Sequence, residues 1–443
     1  MKRLYFFLSF LFLAVLFFII SPDRESRGSE TTQTPAAEAK PFVNAVPGTI
    51  PVESQEYEVK LMIDNKKAIL LIDGSPAQSL ALKLKAGKHT LDVSGEGIKE
   101  KTLELDITGD CTIFVKTDPQ WSKLTHIKTL PVGSLPKGME FTPDGKYLFV
   151  ALLGVPEIVM LDGEKIEVVK RISHPDKPYS GAGFVEMGVS PAGDAVLASQ
   201  MNTASVHLIP LNGNNAFEIA STIPTKGSWS KVIAFSESGK LFAVSNWSSL
   251  DVSLFTYPEM AFVKKIKIPG IPRGMVFADN DTSLYVSNYS NGNLHRVDLE
   301  KGKVAETIRA SRPGALRHLV LDREKNVLYA SDMGLECINI YDLNRKKLVK
   351  QIRVDYNPNT IALSPDKKRL YVSCRGPNAP STYLDRSPRP GRLYMIDCAT
   401  QEITDIRVLG NQPTALAVHP SGKIVTVSNF RDKNIEVYRI DDA

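Results

Sequence analysis

The fold is decided by the stretch Phe141-Thr142-Pro143-Asp144-Gly145-Lys146, a turn that links an apolar strand to a second strand. Six related phrases follow it: Val189-Ser190-Pro191-Ala192-Gly193-Asp194, Phe235-Ser236-Glu237-Ser238-Gly239-Lys240, Phe277-Ala278-Asp279-Asn280-Asp281, Leu321-Asp322-Arg323-Glu324-Lys325, Leu363-Ser364-Pro365-Asp366-Lys367 and Val418-His419-Pro420-Ser421-Gly422-Lys423. Their leading apolar residues are 48, 46, 42, 44, 42 and 55 residues apart. This period, with short strands and no helical phase, is typical of radial four-stranded blades. The sequence therefore predicts an all-β fold containing a seven-bladed β-propeller.

One strand is missing from the seventh repeat, whose third strand is Asn434-Ile435-Glu436-Val437-Tyr438-Arg439-Ile440. The stretch Leu124-Thr125-His126-Ile127-Lys128-Thr129-Leu130 precedes the first repeat and has the pattern of a strand. A blade edge left open exposes unpaired backbone groups. We therefore expect Leu124 to Leu130 to pair as the outer strand of the seventh blade and to close the ring.

The second strand of several repeats ends in a related tetrad, as in Tyr285-Val286-Ser287-Asn288 and Tyr371-Val372-Ser373-Cys374. These phrases closely resemble the YVTN-repeat β-propellers, and the resemblance covers residues 121–443. It implies a fold that hosts surface-layer and periplasmic binding proteins as well as lactonase-like enzymes. We interpret the recurring Asn246, Asn288 and Asn429 as turn formers and not as metal ligands.

Residues 55–118 contain short strands with period-two alternation, separated by turns such as Asp73-Gly74-Ser75. This pattern predicts a small antiparallel β-sandwich. The phrase Leu84-Lys85-Ala86-Gly87-Lys88-His89-Thr90-Leu91-Asp92-Val93 resembles the PEGA-type modules of bacterial envelope proteins, although the Pro-Glu-Gly-Ala tetrad is absent. The resemblance implies an adaptor of the cell envelope. The propeller is then expected to occupy residues 119–443.

Residues 1–21 contain a basic start followed by an apolar run from Leu4 to Ile20. The segment is a signal peptide or an N-terminal membrane anchor, and the absence of a small-x-small cleavage site favours the uncleaved anchor. Residues 22–54 are rich in Ser, Thr, Pro, Ala and Glu and are expected to be a flexible linker. We therefore predict an exported protein, periplasmic or at the cell surface, tethered to the inner membrane by residues 4–20.

Metal and cofactor signatures are lacking in the sequence. The seven histidines are scattered, and no Cys-x-x-Cys or His-x-x-x-His pair occurs, so we expect neither a metal nor a cofactor. Cysteines are few and widely spaced, and a disulfide is compatible only with Cys337 and Cys374. The net charge of +5 is small for 443 residues, so an anionic partner must be argued from local clusters of bases.

An enzyme of the lactonase type would need acids and a histidine converging near the propeller axis. The acids nearest the axial strand ends, Glu140, Glu186 and Asp332, occupy different offsets in their repeats, and we predict that they do not converge. We interpret His318 as structural. These observations favour a non-catalytic protein, with a lactonase-like metal-dependent hydrolase as the alternative.

The column four residues before each leading apolar residue contains four bases where the Lys and Arg content of the chain predicts about one. An 18-residue insertion in the sixth repeat adds four arginines, and aromatic residues follow the recurring asparagines. We predict a binding face formed by Lys137, Lys231, Arg273, Arg317, Arg375, Arg386, Arg389, Arg392, Trp247, Tyr289 and Phe430. Bases interleaved with aromatic rings suit anionic groups attached to rings.

The predicted function is therefore that of a binding or scaffolding protein of the bacterial envelope, with an anionic ligand on the basic face of the propeller. The partner is an envelope polymer or a protein. Nucleic acid is compatible with the same face but is less favoured, and the membrane is contacted through the N-terminal segment.

Overall fold

The computed structural model describes residues 55–65, 68–95, 98–119, 123–174 and 183–441. The chain divides into two compact units, Met1–Gln120 and Trp121–Ala443. The described residues form strands, turns and loops, and none of them belongs to a helix that would be long and apolar enough to cross a membrane. The predicted anchor at residues 4–20 and the predicted linker at 22–54 lie outside the described residues.

The first unit contains two sheets that cover one hydrophobic core. The described strands of this unit are β1 (Glu56–Ile63), β2 (Ile69–Ile72), β3 (Ser75–Pro76), β4 (Ala81–Lys85), β5 (Gly87–Ser94), β6 (Ile98–Lys99), β7 (Lys101–Ile107), β8 (Cys111–Val115) and β9 (Asp118–Pro119). One sheet has the order β4-β1-β8, the other β3-β2-β5-β7, and β6 pairs with β9. Their apolar residues, among them Leu61 and Leu91, form a single cluster. The prediction of an entirely antiparallel arrangement is wrong in one place, because β1 and β8 run parallel.

The second unit is built, in its described part, from seven four-stranded antiparallel sheets, numbered here sheet 1 to sheet 7. Sheet 1 contains β11 (Pro136–Phe141), β12 (Tyr147–Leu152), β13 (Glu157–Asp162) and β14 (Val168–Ser173). Sheet 2 contains β15 (Met187–Val189), β16 (Ala195–Gln200), β17 (Ser205–Pro210) and β18 (Ser221–Pro224). Sheet 3 contains β19 (Ser230–Phe235), β20 (Leu241–Asn246), β21 (Asp251–Thr256) and β22 (Phe262–Lys267). Sheet 4 contains β23 (Pro272–Ala278), β24 (Ser283–Asn288), β25 (Leu294–Asp298) and β26 (Lys303–Ile308). Sheet 5 contains β27 (Leu316–Asp322), β28 (Val327–Asp332), β29 (Cys337–Asp342) and β30 (Lys347–Arg353). Sheet 6 contains β31 (Pro358–Leu363), β32 (Arg369–Cys374), β33 (Arg392–Asp397) and β34 (Ile403–Val408). Sheet 7 contains β35 (Pro413–Val418), β36 (Ile424–Asn429), β37 (Asn434–Ile440) and β10 (Leu124–Pro131).

Hydrophobic clusters join each of these sheets to the next. The alternating apolar residues of sheets 1 and 2 form one cluster, and equivalent clusters join sheets 2 and 3, 3 and 4, 4 and 5, 5 and 6, and 6 and 7. A further cluster, which includes Val150 of sheet 1 and Val437 of sheet 7, joins the last sheet to the first. Each sheet therefore buries both of its faces against its neighbours. The second unit is an all-β, propeller-like fold.

The outer strand of sheet 7 comes from the start of the second unit. Strand β10 pairs antiparallel with β37, with Leu124 opposite Ile440 and Pro131 opposite Asn434. The carboxylate of Asp405 in sheet 6 accepts hydrogen bonds from the amides of Lys123 and Leu124 at 2.6 and 2.8 Å. The prediction that Leu124 to Leu130 completes the last repeat is confirmed by this pairing.

All four cysteines of the chain, Cys111, Cys337, Cys374 and Cys398, are free thiols in the described structure. The disulfide considered for Cys337 and Cys374 is therefore not formed. Both of these side chains are buried, and each lies at the end of a second or third strand, where burial raises the pKa of the thiol.

Candidate binding site

The first strand of most sheets is irregular at the position that carries the predicted basic column. Strand pairing shifts between Pro136 and Gly138, and again between Leu316 and His318, so that Lys137 and Arg317 lie inside the irregularity. Equivalent shifts surround Lys231 and Arg273. An extra residue in one strand leaves a backbone amide without its ladder partner and redirects the side chains beside it.

The serine of the recurring tetrad supplies a partner for that amide. In sheets 2 to 7 the amide of the residue after the column position donates to a serine Oγ, at 2.7–3.2 Å. The acceptors are Ser199, Ser245, Ser287, Ser331, Ser373 and Ser428, all fully buried. The recurring serine therefore fixes the backbone beside each column residue. The recurring asparagines also make local bonds, as Asn246 does to Ser230 and Asp251, in agreement with a structural role.

Two glycines bring neighbouring sheets unusually close at the same level. A Cβ on Gly138 would lie 2.9 Å from the Cα of Glu186, and a Cβ on Gly274 would lie 2.9 Å from the Cα of His318. Both distances are shorter than side-chain carbons tolerate, so neither position accepts a larger residue without a shift of the next strand. The glycines therefore allow the segment that carries Glu186, just before β15, to approach Lys137, and the strand that carries Arg317 to approach Arg273.

Glu186, which precedes the first strand of sheet 2, joins two arginines from sheets 4 and 5. Its Oε1 accepts from Arg317 Nη2 at 2.7 Å and from Arg273 Nη2 at 3.0 Å. The arginine side chains are only 3% and 5% exposed, and that of Glu186 is 14% exposed. Burial alone would raise the pKa of Glu186, but the charges of Arg317 and Arg273 outweigh burial and hold its pKa below the ordinary value. The prediction for Glu186 concerned acids converging with one another, and it did not foresee this contact with two bases of the column.

Each of the two arginines keeps a donor without a partner. The Nη1 atoms of Arg273 and Arg317 are buried and make no hydrogen bond within the described residues. Burial, followed by the charge of Arg317, lowers the pKa of Arg273 to about 9, so its guanidinium still carries a charge at neutral pH. A single carboxylate thus serves two buried guanidinium groups, and positive charge is left over.

Further bases surround this trio. Lys137, Lys231 and Arg375 are close enough to Glu186, Arg273 or Arg317 for their charges to shift one another's pKa values. The five bases Lys137, Lys231, Arg273, Arg317 and Arg375 are called the basic collar below. Sheets 1, 3, 4, 5 and 6 contribute one base each, and sheet 2 precedes its first strand with Glu186. A set contributed by so many sheets can meet only where the first strands converge.

Aromatic rings lie between the bases of the collar. Lys137 Nζ is 5.6 Å from the centre of the Phe430 ring, and the Arg375 Cζ is 5.7 Å from the same ring. Lys231 Nζ is 5.2 Å from the Trp229 ring and 5.9 Å from the Trp247 ring. Trp247 in turn lies 4.7 Å from Tyr289, centre to centre. Such cation–π contacts hold the bases of the collar against the ring faces.

The remaining predicted arginines do not add free charge to this site. Arg386 pairs with Asp432 at 2.5 Å, Arg389 with Asp355 at 2.6 Å, and Arg392 with Asp355 at 3.4 Å. Their expected role as ligand-binding bases is therefore not supported by their contacts. Arg375 differs, because it is 5% exposed, its Nη2 donates to the carbonyl of Tyr383 at 3.2 Å, and its Nε has no partner in the described structure.

Other axial groups have different surroundings. The side chain of Glu140 contacts solvent, but the protein around it reduces its hydration. This desolvation, followed by the charge of Glu186, raises the pKa of Glu140 to about 8. Burial and then Arg317 lower the pKa of His318 to about 4, so the imidazole is neutral at pH 7. Asp332 accepts backbone amides from Ala315, Gly334 and Leu335 and acts as a structural acceptor. No group of three His, Cys, Asp or Glu side chains suited to a metal occurs within the described residues.

From the sequence, Glu186 was placed near the axis but not assigned to the site, and Trp229, Tyr383 and Asp355 were missed. Glu186 is one position out of register with the basic column, and Asp355 lies in a loop. A search for acids able to neutralise the column, one residue on either side of it, would have found Glu186.

Comparison with known proteins gives relatives for most of the chain. No protein-family model matches it. The chain is 35% identical over 356 residues to the antigen Lp49 of Leptospira interrogans serogroup Icterohaemorrhagiae serovar copenhageni, with 78% of this chain and 74% of that protein covered. It is 29% identical over 242 residues to a 6-phosphogluconolactonase of Formosa agariphila, which covers 47% of this chain and 66% of that protein.

Among solved structures, a chain of Kuenenia stuttgartiensis hydrazine synthase matches with a TM-score of 0.59 and 18% identity. The match covers 71% of this chain and 97% of that chain, and it shows similarity of fold alone. The extensive identity with antigen Lp49 is closer and spans most of both proteins. On this ground the chain belongs to the family of antigen Lp49.

Proposed function

We propose that the protein is a non-catalytic binding or scaffolding protein of the bacterial cell envelope, which holds an anionic ligand in the basic collar. The observation that carries this proposal is the pair of buried Nη1 atoms on Arg273 and Arg317, which have no partner among the described residues and lie beside the carboxylate of Glu186. An unsatisfied buried donor costs about 1–3 kcal/mol, and more when it is charged. A bound anion would satisfy both donors at once.

The chemistry of the collar favours a carboxylate or phosphate group. Guanidinium groups donate charge-assisted hydrogen bonds to such oxyanions, and the Nη1 edges of Arg273 and Arg317 are without a partner among the described residues. Tyr289 and Trp247 place aromatic surface beside these edges, which suits a ring or an alkyl chain attached to the anionic group. An envelope polymer with acidic groups and an acidic protein partner both offer this chemistry, and both fit better than nucleic acid.

The architectural part of the proposal is that sheets 1 to 7 are the blades of a seven-bladed propeller of the YVTN type, preceded by a PEGA-like sandwich. The cyclic series of hydrophobic clusters supports the propeller, and the shared core of the two smaller sheets supports the sandwich. Membership of the antigen Lp49 family supports an exported protein exposed at the cell surface or in the periplasm.

Calorimetric titration with inorganic phosphate at low salt tests the binding role. We expect saturable binding that weakens as salt shortens the Debye length to about 8 Å. Arg273→Gln should weaken binding about tenfold, the loss of one charge-assisted hydrogen bond. The matched control Lys240→Gln removes an exposed base in a turn between the first and second strands of sheet 3 and should leave affinity unchanged. Equal losses in both variants would reduce the effect to non-specific attraction.

A lactonase-like hydrolase is the second candidate, because the chain is distantly similar to 6-phosphogluconolactonases. Glu140 and His318 lie near the collar and would supply acid–base groups. Hydrolysis of 6-phosphogluconolactone, followed with and without added divalent cations, distinguishes the two candidates. Turnover that is lost in both Glu140→Gln and His318→Gln would favour the enzyme, whereas binding without turnover favours the binding protein.

A further inference from the structure

Lys231 is the one member of the collar whose amine is placed as a nucleophile. Its Nζ lies 2.8 Å from the sulfur of Met201, which is a weak acceptor, and faces the rings of Trp229 and Trp247. No carboxylate of the described residues lies within ion-pair distance of it, and Glu186, whose charge acts on Lys231, is bound by Arg273 and Arg317. The residue is nevertheless only half-buried.

This environment disfavours the charged form of the amine. Burial among apolar side chains comes first, and the charges of Arg273 and Arg317 add to it, against a smaller opposing effect of Glu186; the pKa of Lys231 is lowered to about 7. About half of the amine is then neutral at neutral pH. Desolvated lysines beside other cations are the lysines that proteins use to form imines with carbonyl compounds.

Lys137 is less suited to the same reaction. Its pKa is also lowered well below the ordinary value, by burial and then by Arg375, Arg317 and Arg273, against an opposing effect of Glu186. Lys137 also lies against Phe430 alone, whereas Lys231 has two indole rings beside it.

We propose that the collar captures 2-oxo acids covalently: the arginine pair binds the carboxylate, and the amine of Lys231 forms an imine with the adjacent carbonyl carbon. The nitrogen lone pair adds to that carbon, the carbon–oxygen double bond breaks, and the oxygen leaves as water with the two hydrogens of the amine. No oxidant or reductant is needed. This inference rests on the proposed function, because the carboxylate is held by the donors that define the anion site.

Pyruvate with sodium cyanoborohydride, applied to the full-length chain, tests the proposal, because the reagent reduces an imine to a stable secondary amine that peptide mass mapping locates. We expect at least about tenfold more label on Lys231 than on any other lysine, as positioning by the arginines would provide. Lactate, which has the carboxylate but no carbonyl, should protect Lys231. Acetone, which has the carbonyl but no carboxylate, should label it about tenfold less.

Lys231→Met should abolish the adduct, and Lys231→Arg, which preserves the charge, serves if the methionine variant fails to fold. The matched control Lys240→Met should leave the adduct unchanged. Pyruvate or lactate binding detected by calorimetry without a Lys231 adduct would overturn the inference and leave the anion site intact. Failure of pyruvate, lactate and phosphate to bind at all would overturn both. Labelling that follows lysine exposure, or that falls on Lys137, would also overturn the inference.

Discussion

Replacement of Glu186 by glutamine is the most informative perturbation of the collar. The carboxylate is bound to Arg317 at 2.7 Å and to Arg273 at 3.0 Å, with all three side chains largely shielded from water. Removal of one partner from a buried ion pair costs about 3–5 kcal/mol, because the other charge remains buried and unpaired. Glu186→Gln leaves two such charges facing each other, so we expect its free energy of unfolding to fall by at least that amount.

Single arginine replacements should cost less, because one ion pair survives in each. Arg273→Gln leaves the bond between Glu186 and Arg317, and we expect a loss of about 1–3 kcal/mol, the range for a charged hydrogen bond. Urea unfolding at low salt, with the three proteins side by side, gives the order. A Glu186→Gln variant as stable as the parent, or less damaged than Arg273→Gln, would refute the claim that one carboxylate neutralises two buried arginines.

Added phosphate provides an internal check on the same variants. A ligand that binds only the folded state stabilises it in proportion to the logarithm of its concentration above the dissociation constant. Glu186→Gln has an additional unneutralised charge in the collar, so we expect phosphate to raise its unfolding midpoint more than that of the parent protein. Equal increases in both proteins would place the phosphate elsewhere.

Three further predictions concern the scaffold. The pKa of Glu140 is raised from 4.5 to about 8, so the folded state favours its neutral form. The contribution of Glu140 to the free energy of unfolding is therefore complete below pH 4.5 and is lost as the pH rises towards 8. Glu140→Gln should flatten this decline in stability in thermal melts across that range. A chain beginning at Gly133 lacks β10 and should lose cooperative unfolding by circular dichroism, whereas one beginning at Asp118 should retain it; identical melts would contradict the pairing of β10 with β37. Ser331→Ala removes the acceptor of the His318 amide and the donor to the Asn359 carbonyl, and it should lower the free energy of unfolding in urea by about 1–3 kcal/mol. The control Ser311→Ala, at an exposed site, should leave stability unchanged. An unchanged stability in Ser331→Ala would contradict the role assigned to the recurring serine.

The strands of the second unit were predictable because the sequence repeats its turn phrase and its alternation. The outer strand of sheet 7 was predictable because the last repeat lacked a fourth strand, which would have left backbone groups at its edge unpaired. The pairing of β1 with β8 was not, because alternation shows which residues face the core and says nothing of strand direction. The repeat also displays the recurring serine without showing its acceptor role, which depends on the irregular pairing at the first strand.

Charge compensation was the part of the site that the sequence concealed. Glu186 is separated from Arg273 and Arg317 by 87 and 131 residues, and the convergence of sheets 2, 4 and 5 brings the three together. Arg389 and Arg392 look like ligand-binding bases in the sequence, but the fold places Asp355 beside both. Contacts between repeats decide whether a base is free or neutralised. These contacts cannot be predicted from the position of the base within its own repeat.

The central claim is that Arg273 and Arg317 direct unused donors at a common anion. A crystal structure of the protein in the presence of selenate tests this claim directly. Selenium is located by its anomalous scattering, and selenate is a tetrahedral oxyanion like phosphate. The account predicts a selenium peak within hydrogen-bonding reach of the Nη1 atoms of both arginines, beside Glu186 and Tyr289. Selenium peaks confined to exposed lysines, with both Nη1 atoms bonded to protein groups, would contradict it.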